Sequence, residues 1–132
     1  MPVIRVVLIA LLLSACSSLP SDQEVDEANY GSAPSEYELI VKAYYQMTVN
    51  EPGTTKYNAI HKPVRYWLAN KMGDTYYGYL VCATVNTKNL LGKYSGFRHD
   101  ALLIHNDHVV KYVKGGDWWG EQLCPNPSSN AQ

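Results

Sequence analysis

Hydrophobic residues recur with two different spacings in the chain beyond residue 34. From residue 35 to residue 50 the apolar side chains return every three or four positions, which predicts one amphipathic helix. They are Tyr37, Ile40, Val41, Tyr44 and Met47. Ser35 and Glu38 have the spacing of a capping box, so we expect Ser35 to cap this helix. Beyond Gly53 the spacing becomes two, and the residues become mostly Tyr, Trp, Val, Ile and Thr, which predicts β-strands.

Four strands are predicted, separated by turns rich in Asn, Asp and Gly. They cover residues 57–69, 75–86, 97–105 and 108–114. Pro63 interrupts the first strand and marks an edge, a bend or a bulge. Apolar residues on both faces of the second strand predict a central position, and Asn106-Asp107 predicts a two-residue hairpin turn. The expected fold class is α+β, with one N-terminal amphipathic helix packed on a four-stranded antiparallel β-meander.

The first sixteen residues carry an export signal. Arg5 precedes an apolar run over residues 6–13, which is too short to span a bilayer and is typical of a cleaved signal. The following Leu13-Ser14-Ala15-Cys16 resembles the lipobox of bacterial lipoproteins. That resemblance implies removal of residues 1–15 and acylation of Cys16, which would anchor the protein in a lipid bilayer. An ordinary signal peptide cut at another position is the alternative.

The resemblance also implies a location in the cell envelope. Ser17, rather than Asp, follows the cysteine, which implies sorting to the outer membrane, with the protein facing the periplasm. Residues 16–34 contain four acidic residues and no basic one, and we interpret them as a flexible tether. A single small domain is then expected over residues 35–124, followed by a disordered tail over residues 125–132.

Size and charge exclude two classes of protein. A chain of 132 residues with one expected domain is too short for a multidomain enzyme. Beyond Pro34 ten basic residues face eight acidic ones, and a surface this close to neutral argues against a nucleic-acid partner.

Cysteine usage predicts one disulfide. Of the three cysteines, Cys16 is assigned to lipid, which leaves Cys82 and Cys124 to pair in an oxidising compartment. The bond would hold the segment containing Trp118 and Trp119 against the central strand. A redox-active thiol pair is the alternative, but the two cysteines lack the C-x-x-C spacing.

The segment from Val81 to Gly96 has a distinctive pattern, V-C-x-x-V-N-x-K-N-x-x-G-x-Y-x-G. Together with the upstream segment Glu51-Pro52-Gly53-Thr54-Thr55-Lys56-Tyr57, it resembles the core of small exported bacterial domains. The resemblance covers roughly residues 36–113. The resemblance implies a fold neighbourhood and no particular chemistry. The polar residues of this segment either build a turn or form the rim of a binding face. They are Asn86, Lys88, Asn89 and Tyr94.

Aromatic residues supply the second part of the candidate binding face. Tyr66, Trp67, Tyr77 and Tyr79 lie on adjacent predicted strands, where they either reflect the β-propensity of aromatic residues or form a platform for a partner.

Histidine gives the one indication of metal chemistry. His105 and His108 flank the predicted hairpin turn, but a stable zinc site needs three or four ligands. We expect no metal, no cofactor and no catalytic activity, because the sequence contains no recognisable nucleophile elbow, carboxylate pair or phosphate loop.

The sequence therefore favours a membrane-anchored, non-catalytic binding module. Its expected partner is another envelope protein, which it would bind as a complex subunit, an inhibitor or an exclusion or immunity-type factor. The alternative is an envelope-structural lipoprotein that contacts peptidoglycan or assembly machinery.

Overall fold

The computed structural model describes residues 19–125 of the chain. The expected signal peptide, the lipid site at Cys16 and the expected disordered tail beyond Pro125 lie outside these residues. Within residues 19–125, no helix is both long enough and apolar enough to cross a membrane.

The described chain forms an α+β fold, as the sequence predicted, with short helices and an antiparallel sheet. The two α-helices are α1 (Asp22–Glu27) and α2 (Tyr37–Thr48). The strands are β1 (Lys56–Ile60), β2 (Val64–Ala69), β3 (Thr75–Asn86), β4 (Arg98–His105), β5 (His108–Val113), β6 (Asp117–Trp118) and β7 (Glu121–Gln122). Short 3₁₀ turns cover Pro52–Thr54 and Lys114–Gly116.

The main sheet is built around β3, which confirms the central position predicted for this strand. β4 pairs with one side of β3 and β5 pairs with β4. The other side of β3 is shared by two strands, β1 beside Ala83 to Asn86 and β2 beside Thr75 to Leu80. The sheet therefore has five strands instead of four. Pro63 lies between β1 and β2, and it breaks the first predicted strand because it has no N–H to donate to a ladder.

Helix α2 packs on one face of the sheet through most of the predicted stripe, since Tyr37, Ile40, Val41 and Tyr44 belong to or pack against the core of that face. Val41 and Tyr45 are fully buried against the sheet, whereas Met47 of the predicted stripe is exposed. The predicted capping box is also absent: Glu36 is the N-cap residue and makes no side-chain capping bond. Tyr45 joins the buried face and Met47 does not, because Tyr45 lies one turn beyond Val41 on the same side of the helix.

Each face of the sheet has its own core. On the α2 face the core contains Val81, Val85, Leu102 and Ile104. On the opposite face Leu80, Leu103 and Val113 surround Cys124. Cys82 and Cys124 form the predicted disulfide there, with 5.7 Å between their Cα atoms and 42 positions between them along the chain. The bond fixes the segment that follows β5 to the middle of β3.

The residues before α2 are ordered against the sheet where a flexible tether was expected. Ser21 caps α1 by accepting a hydrogen bond from the Glu24 N–H. Tyr30 is buried, its ring lies edge-on to Tyr77 at 5.4 Å, and the Arg65 guanidinium lies 4.0 Å from its centre. The acidic composition of this segment is typical of a tether, but the contacts of Tyr30 hold it in place.

Candidate functional site

The predicted binding face is divided between the two ends of β3. Tyr77 and Tyr79 lie in its first half, whereas Asn86 is its last residue and leads into the loop that contains Lys88, Asn89 and Tyr94. At about 3.3 Å per residue, Tyr77 and Asn86 are about 30 Å apart. The eight candidate residues therefore do not form one continuous surface.

The aromatic residues of the predicted binding face are divided again, between the two faces of the sheet. Trp67 lies opposite Tyr77 in the β2–β3 register, on the same face as α2. Tyr66 lies opposite Gly78 and packs against the core around the disulfide. Tyr77 is partly covered by Tyr30, and burial, with smaller contributions from Glu24 and Tyr30, raises the pKa of the Tyr77 phenol. Tyr66 and Tyr77 are therefore used in part for packing inside the domain, and Tyr79 is partly buried on the same face as Tyr77.

Two asparagines at the other end of β3 hold the following loop in shape. Asn86 is buried and its side-chain oxygen accepts a hydrogen bond from the Gly96 N–H at 3.0 Å. The side-chain oxygen of Asn89 accepts from the N–H groups of Leu91 and Lys93, at 3.0 and 3.1 Å. Their side chains are therefore used to build the turn, which is one of the two interpretations left open by the sequence.

The loop presents two leucines that sequence analysis did not select. Residues 89–93, which we call the leucine turn, close with hydrogen bonds from the Asn89 N–H to the Lys93 carbonyl and from the Gly92 N–H to the Asn89 carbonyl. Leu90 and Leu91 at its tip are 91% and 82% exposed. Adjacent leucines inside a turn-forming string are the sequence signal that would have identified them, because an apolar pair has no core to enter there.

Basic residues surround the base of the leucine turn. The Lys56 ammonium lies 4.3 Å from the centre of the Tyr94 ring, and the Lys88 ammonium lies 5.5 Å from the same ring. Lys88 also lies 3.9 Å from the Glu51 carboxylate. The Tyr94 hydroxyl donates to the Thr54 carbonyl at 2.8 Å, which ties the loop to the segment before β1. Lys93 lies in the turn itself, so three lysines and one glutamate lie in the leucine turn or in the segments that adjoin it.

A second open surface lies along the outer edge of β2. This edge strand pairs with β3 alone among the described strands. An open cleft of about 820 Å³ follows it, lined by residues from β2, from the N-terminal segment and from the β6–β7 hairpin. Aromatic residues of that lining include Tyr66, Trp67, Trp118 and Trp119. The Trp118 indole N–H donates to the Ala69 carbonyl at 3.1 Å, so the hairpin is fixed to the end of β2.

The most concentrated polar cluster is buried beneath α2. The Asp100 carboxylate has no exposed surface, and it accepts hydrogen bonds from the hydroxyls of Tyr45 and Tyr112 at 2.6 and 2.7 Å. It also accepts from the Arg98 Nε at 2.9 Å and from the Gly115 N–H at 2.7 Å. Every partner is a donor and the cluster is closed to solvent on the Asp100 side, so its role is to hold α2, β4 and β5 together.

This cluster shifts the acidity of its members. Burial, reinforced by Asp100, raises the pKa of the Tyr112 phenol to about 12, and the same causes raise the pKa of the Tyr45 phenol. Burial alone would lower the pKa of the Arg98 guanidinium, but hydrogen bonds and charges from Tyr112 and Asp100 outweigh it and raise that pKa. The phenols and the guanidinium are therefore held in their protonated forms.

The two histidines at the hairpin turn have different surroundings. They face each other in the β4–β5 register, and both turn residues between them have positive φ, as predicted for Asn106-Asp107. The His105 Nδ1 lies 2.9 Å from the Tyr77 carbonyl, while His108 is exposed. Among residues 19–125, no three His, Cys, Asp or Glu side chains come together as a possible metal site.

Comparisons with family models, with curated proteins and with solved structures find no match for this chain. Function is therefore inferred from the geometry and from the sequence.

Proposed function

We propose that this protein is a lipid-anchored, non-catalytic module that binds another envelope protein through the leucine turn. The observation that carries the proposal is the exposure of Leu90 and Leu91 at the tip of a turn that Asn89 holds in a fixed shape. Large apolar side chains in such positions are typical of binding surfaces, because they gain free energy only when a partner covers them.

The turn is arranged for binding with little loss of conformational freedom. Four hydrogen bonds within residues 89–93 fix the backbone before any partner arrives. A preformed loop avoids most of the entropy cost of ordering at an interface. Lys56 and Lys88 at its base and Lys93 within it outnumber Glu51, which favours a partner with an apolar pocket rimmed by acidic groups.

The anchor belongs to the same proposal. The lipobox-like Leu13-Ser14-Ala15-Cys16 supports acylation of Cys16, and the residue that follows supports sorting to the outer membrane, with the domain facing the periplasm. The Cys82–Cys124 disulfide is consistent with an oxidising compartment.

Site-specific crosslinking in cells tests the partner. A photo-crosslinking amino acid replaces Leu90 in the intact lipoprotein, and the matched control replaces Val64, an apolar residue of β2 that is also exposed. We expect one dominant crosslinked protein from position 90, and no adduct of the same mass from position 64. Adducts to muropeptides, or a diffuse set of envelope proteins at both positions, would contradict the proposal and favour the envelope-structural role.

Affinity measurements with the captured partner test the mechanism. Leu90→Ser and Leu91→Ser together should weaken binding at least tenfold, since burial of one leucine contributes about 1.5–3 kcal/mol. Val64→Ser should leave the affinity unchanged. Both variants should unfold at the same urea concentration as the wild type. Unchanged affinity in a folded double variant would exclude the leucine turn as the binding site.

A further inference from the structure

Two exposed apolar residues lie at the end of the sheet opposite the leucine turn. Met72, in the β2–β3 turn, is 85% exposed, and Trp119, in the β6–β7 turn, is 60% exposed. The Lys71 ammonium lies 5.1 Å from the centre of the Trp119 ring, so the two turns lie side by side. We call Met72 and Trp119 the apolar tip.

Trp119 has a backbone conformation that does not suit it. Its φ is +51°, and Gly120 follows at +88°, so the pair forms a two-residue turn between β6 and β7. Asn and Gly favour such a position, whereas a bulky residue there is unusual. The indole lies edge-on to Trp118 at 6.3 Å, but it is mostly exposed and lies outside both buried cores. This points to a contact outside the described chain.

Both turns of the tip are held firmly. The Asn70 side-chain oxygen accepts hydrogen bonds from the N–H groups of Met72 and Asp74, both at 2.9 Å. Trp118, next to Trp119, packs into the core around the disulfide and donates its indole N–H to Ala69. The tip is therefore a preformed surface.

The path of the N-terminal segment indicates what the apolar tip contacts. Leu19 and Trp119 line the same cleft, and Leu19 is three residues beyond Cys16. Three extended residues span about 10 Å. An acylated Cys16 would thus hold this end of the sheet next to the bilayer that contains its acyl chains.

The side chains of the tip suit a phospholipid interface. Tryptophan is enriched at the level of the lipid headgroups, and lysine beside it extends its ammonium toward water. Asp74, Asp117 and Glu121 lie close to the tip and balance Lys71, Lys111 and Lys114. The Lys111 ammonium lies 5.3 Å from the centre of the Trp118 ring, and Lys114 lines a cleft with Trp119. The contact is therefore apolar and independent of anionic lipid.

We propose that Met72 and Trp119 contact the headgroup region of the membrane that holds Cys16, so that the leucine turn points away from that membrane. This inference rests on the lipid attachment in the proposed function. Because β3 spans twelve residues, the leucine turn would be displaced from the membrane surface by about 35 Å.

Quenching of tryptophan fluorescence by brominated lipids tests the orientation. The mature chain is coupled through the Cys16 thiol to a maleimide lipid in phosphatidylcholine vesicles that carry bromine on their acyl chains, so the test does not require natural acylation. We expect quenching of the wild-type emission. Trp119→Tyr should lose at least half of that quenching, and Leu90→Trp should add emission that is not quenched.

Other outcomes would overturn the proposal. Equal quenching in wild type and Trp119→Tyr would exclude the apolar tip as the membrane contact. Quenching of the emission added by Leu90→Trp would show that the leucine turn faces the membrane, which contradicts the proposed orientation. Intact-mass measurement of the protein from membranes tests the acylation of Cys16 separately. A failure of the anchor and a failure of the apolar tip are therefore distinguished.

Discussion

The Tyr45 hydroxyl of α2 donates a 2.6 Å hydrogen bond to the buried Asp100 carboxylate of β4, 55 positions away in the chain. Tyr112 of β5 donates to the same oxygen, Asp100 Oδ2, at 2.7 Å. One carboxylate thus connects the helix to two strands of the sheet. This polar contact sits beside an otherwise apolar core, and it fixes where α2 lies along β4.

Replacement of the central carboxylate should be severely destabilising. Asp100→Asn removes the charge that faces the Arg98 guanidinium, and its amide N–H₂ takes the place of an oxygen that accepts hydrogen bonds in the native cluster. Loss of one partner of a buried charge pair costs about 3–5 kcal/mol. Urea unfolding of the variant measures this loss. Asp107→Asn is the matched control, because Asn suits the positive φ of that turn equally well, and a similar loss in both variants would contradict the assigned role of Asp100.

Alkaline pH should destabilise the domain, and the phenols of the same cluster should contribute to this loss. The phenol of Tyr112 has a pKa of about 12 in the folded protein and 10.0 as its ordinary value, and the pKa of Tyr45 is also raised. Between these values the unfolded chain loses phenolic protons that the folded chain keeps. The free energy of unfolding is therefore unaffected by these groups below pH 10 and falls as the pH rises from 10 to 12.

Chemical denaturation at a series of pH values measures this decline. Tyr112→Phe should make the decline shallower, since the variant has one phenol fewer to ionise on unfolding. Tyr94→Phe, which removes a phenol outside the cluster, is the control. Identical slopes for wild type and Tyr112→Phe would contradict the contribution assigned to Tyr112.

Removal of the disulfide should cost a large part of the stability. The bond closes a loop of 42 positions, for which the chain-entropy model gives about 4 kcal/mol. The double variant Cys82→Ala, Cys124→Ala should unfold at a much lower urea concentration than wild type. Hydrogen exchange should show loss of protection at the Leu123 N–H, which is bonded to the Gly116 carbonyl. A decrease of less than 1 kcal/mol in the free energy of unfolding would contradict a large stabilising contribution from the disulfide.

Gly78 should tolerate no side chain. A Cβ atom at this position of β3 would collide with the backbone carbonyl of Ile104 on β4. Gly78→Ala should therefore destabilise the domain by about 2–3 kcal/mol, in the range found for overpacked cores. Gly53→Ala is the control, because a Cβ there meets open space. Thermal unfolding compares the two, and equal melting temperatures would show that β4 moves to accommodate the methyl group.

Local patterns predicted those parts of the fold that local residues decide. The apolar residues on both faces of 75–86 indicated a central strand, and Asn106-Asp107 indicated a tight turn, because both depend on neighbouring residues. The full extent of the buried face of α2 was not predictable in this way. Tyr44 and Tyr45 are adjacent and both contact the core, but Tyr45 alone of the two is fully buried, because its hydroxyl reaches Asp100 of β4.

The candidate site was predicted only in part, because its contacts are distant in the chain. The polar residues of the loop were identified, but the exposure of Leu90 and Leu91 depends on how Asn89 folds the turn. The order of the segment before α2 was missed, because it depends on Arg65 and Tyr77, which follow Tyr30 by 35 and 47 positions in the chain. The amino-acid composition of that segment, taken alone, predicts a flexible tether.

The docking of residues 19–34 changes how often the proposed lipoprotein would meet a partner. If those residues were free, an anchor at Cys16 would let the domain explore a hemisphere with a radius of several tens of ångströms, at about 3.5 Å per residue. With Tyr30 seated on Tyr77, only about three residues separate the anchor from the fold. The domain then occupies a thin layer above the membrane, and its effective concentration is high toward partners in that layer and very low toward all others.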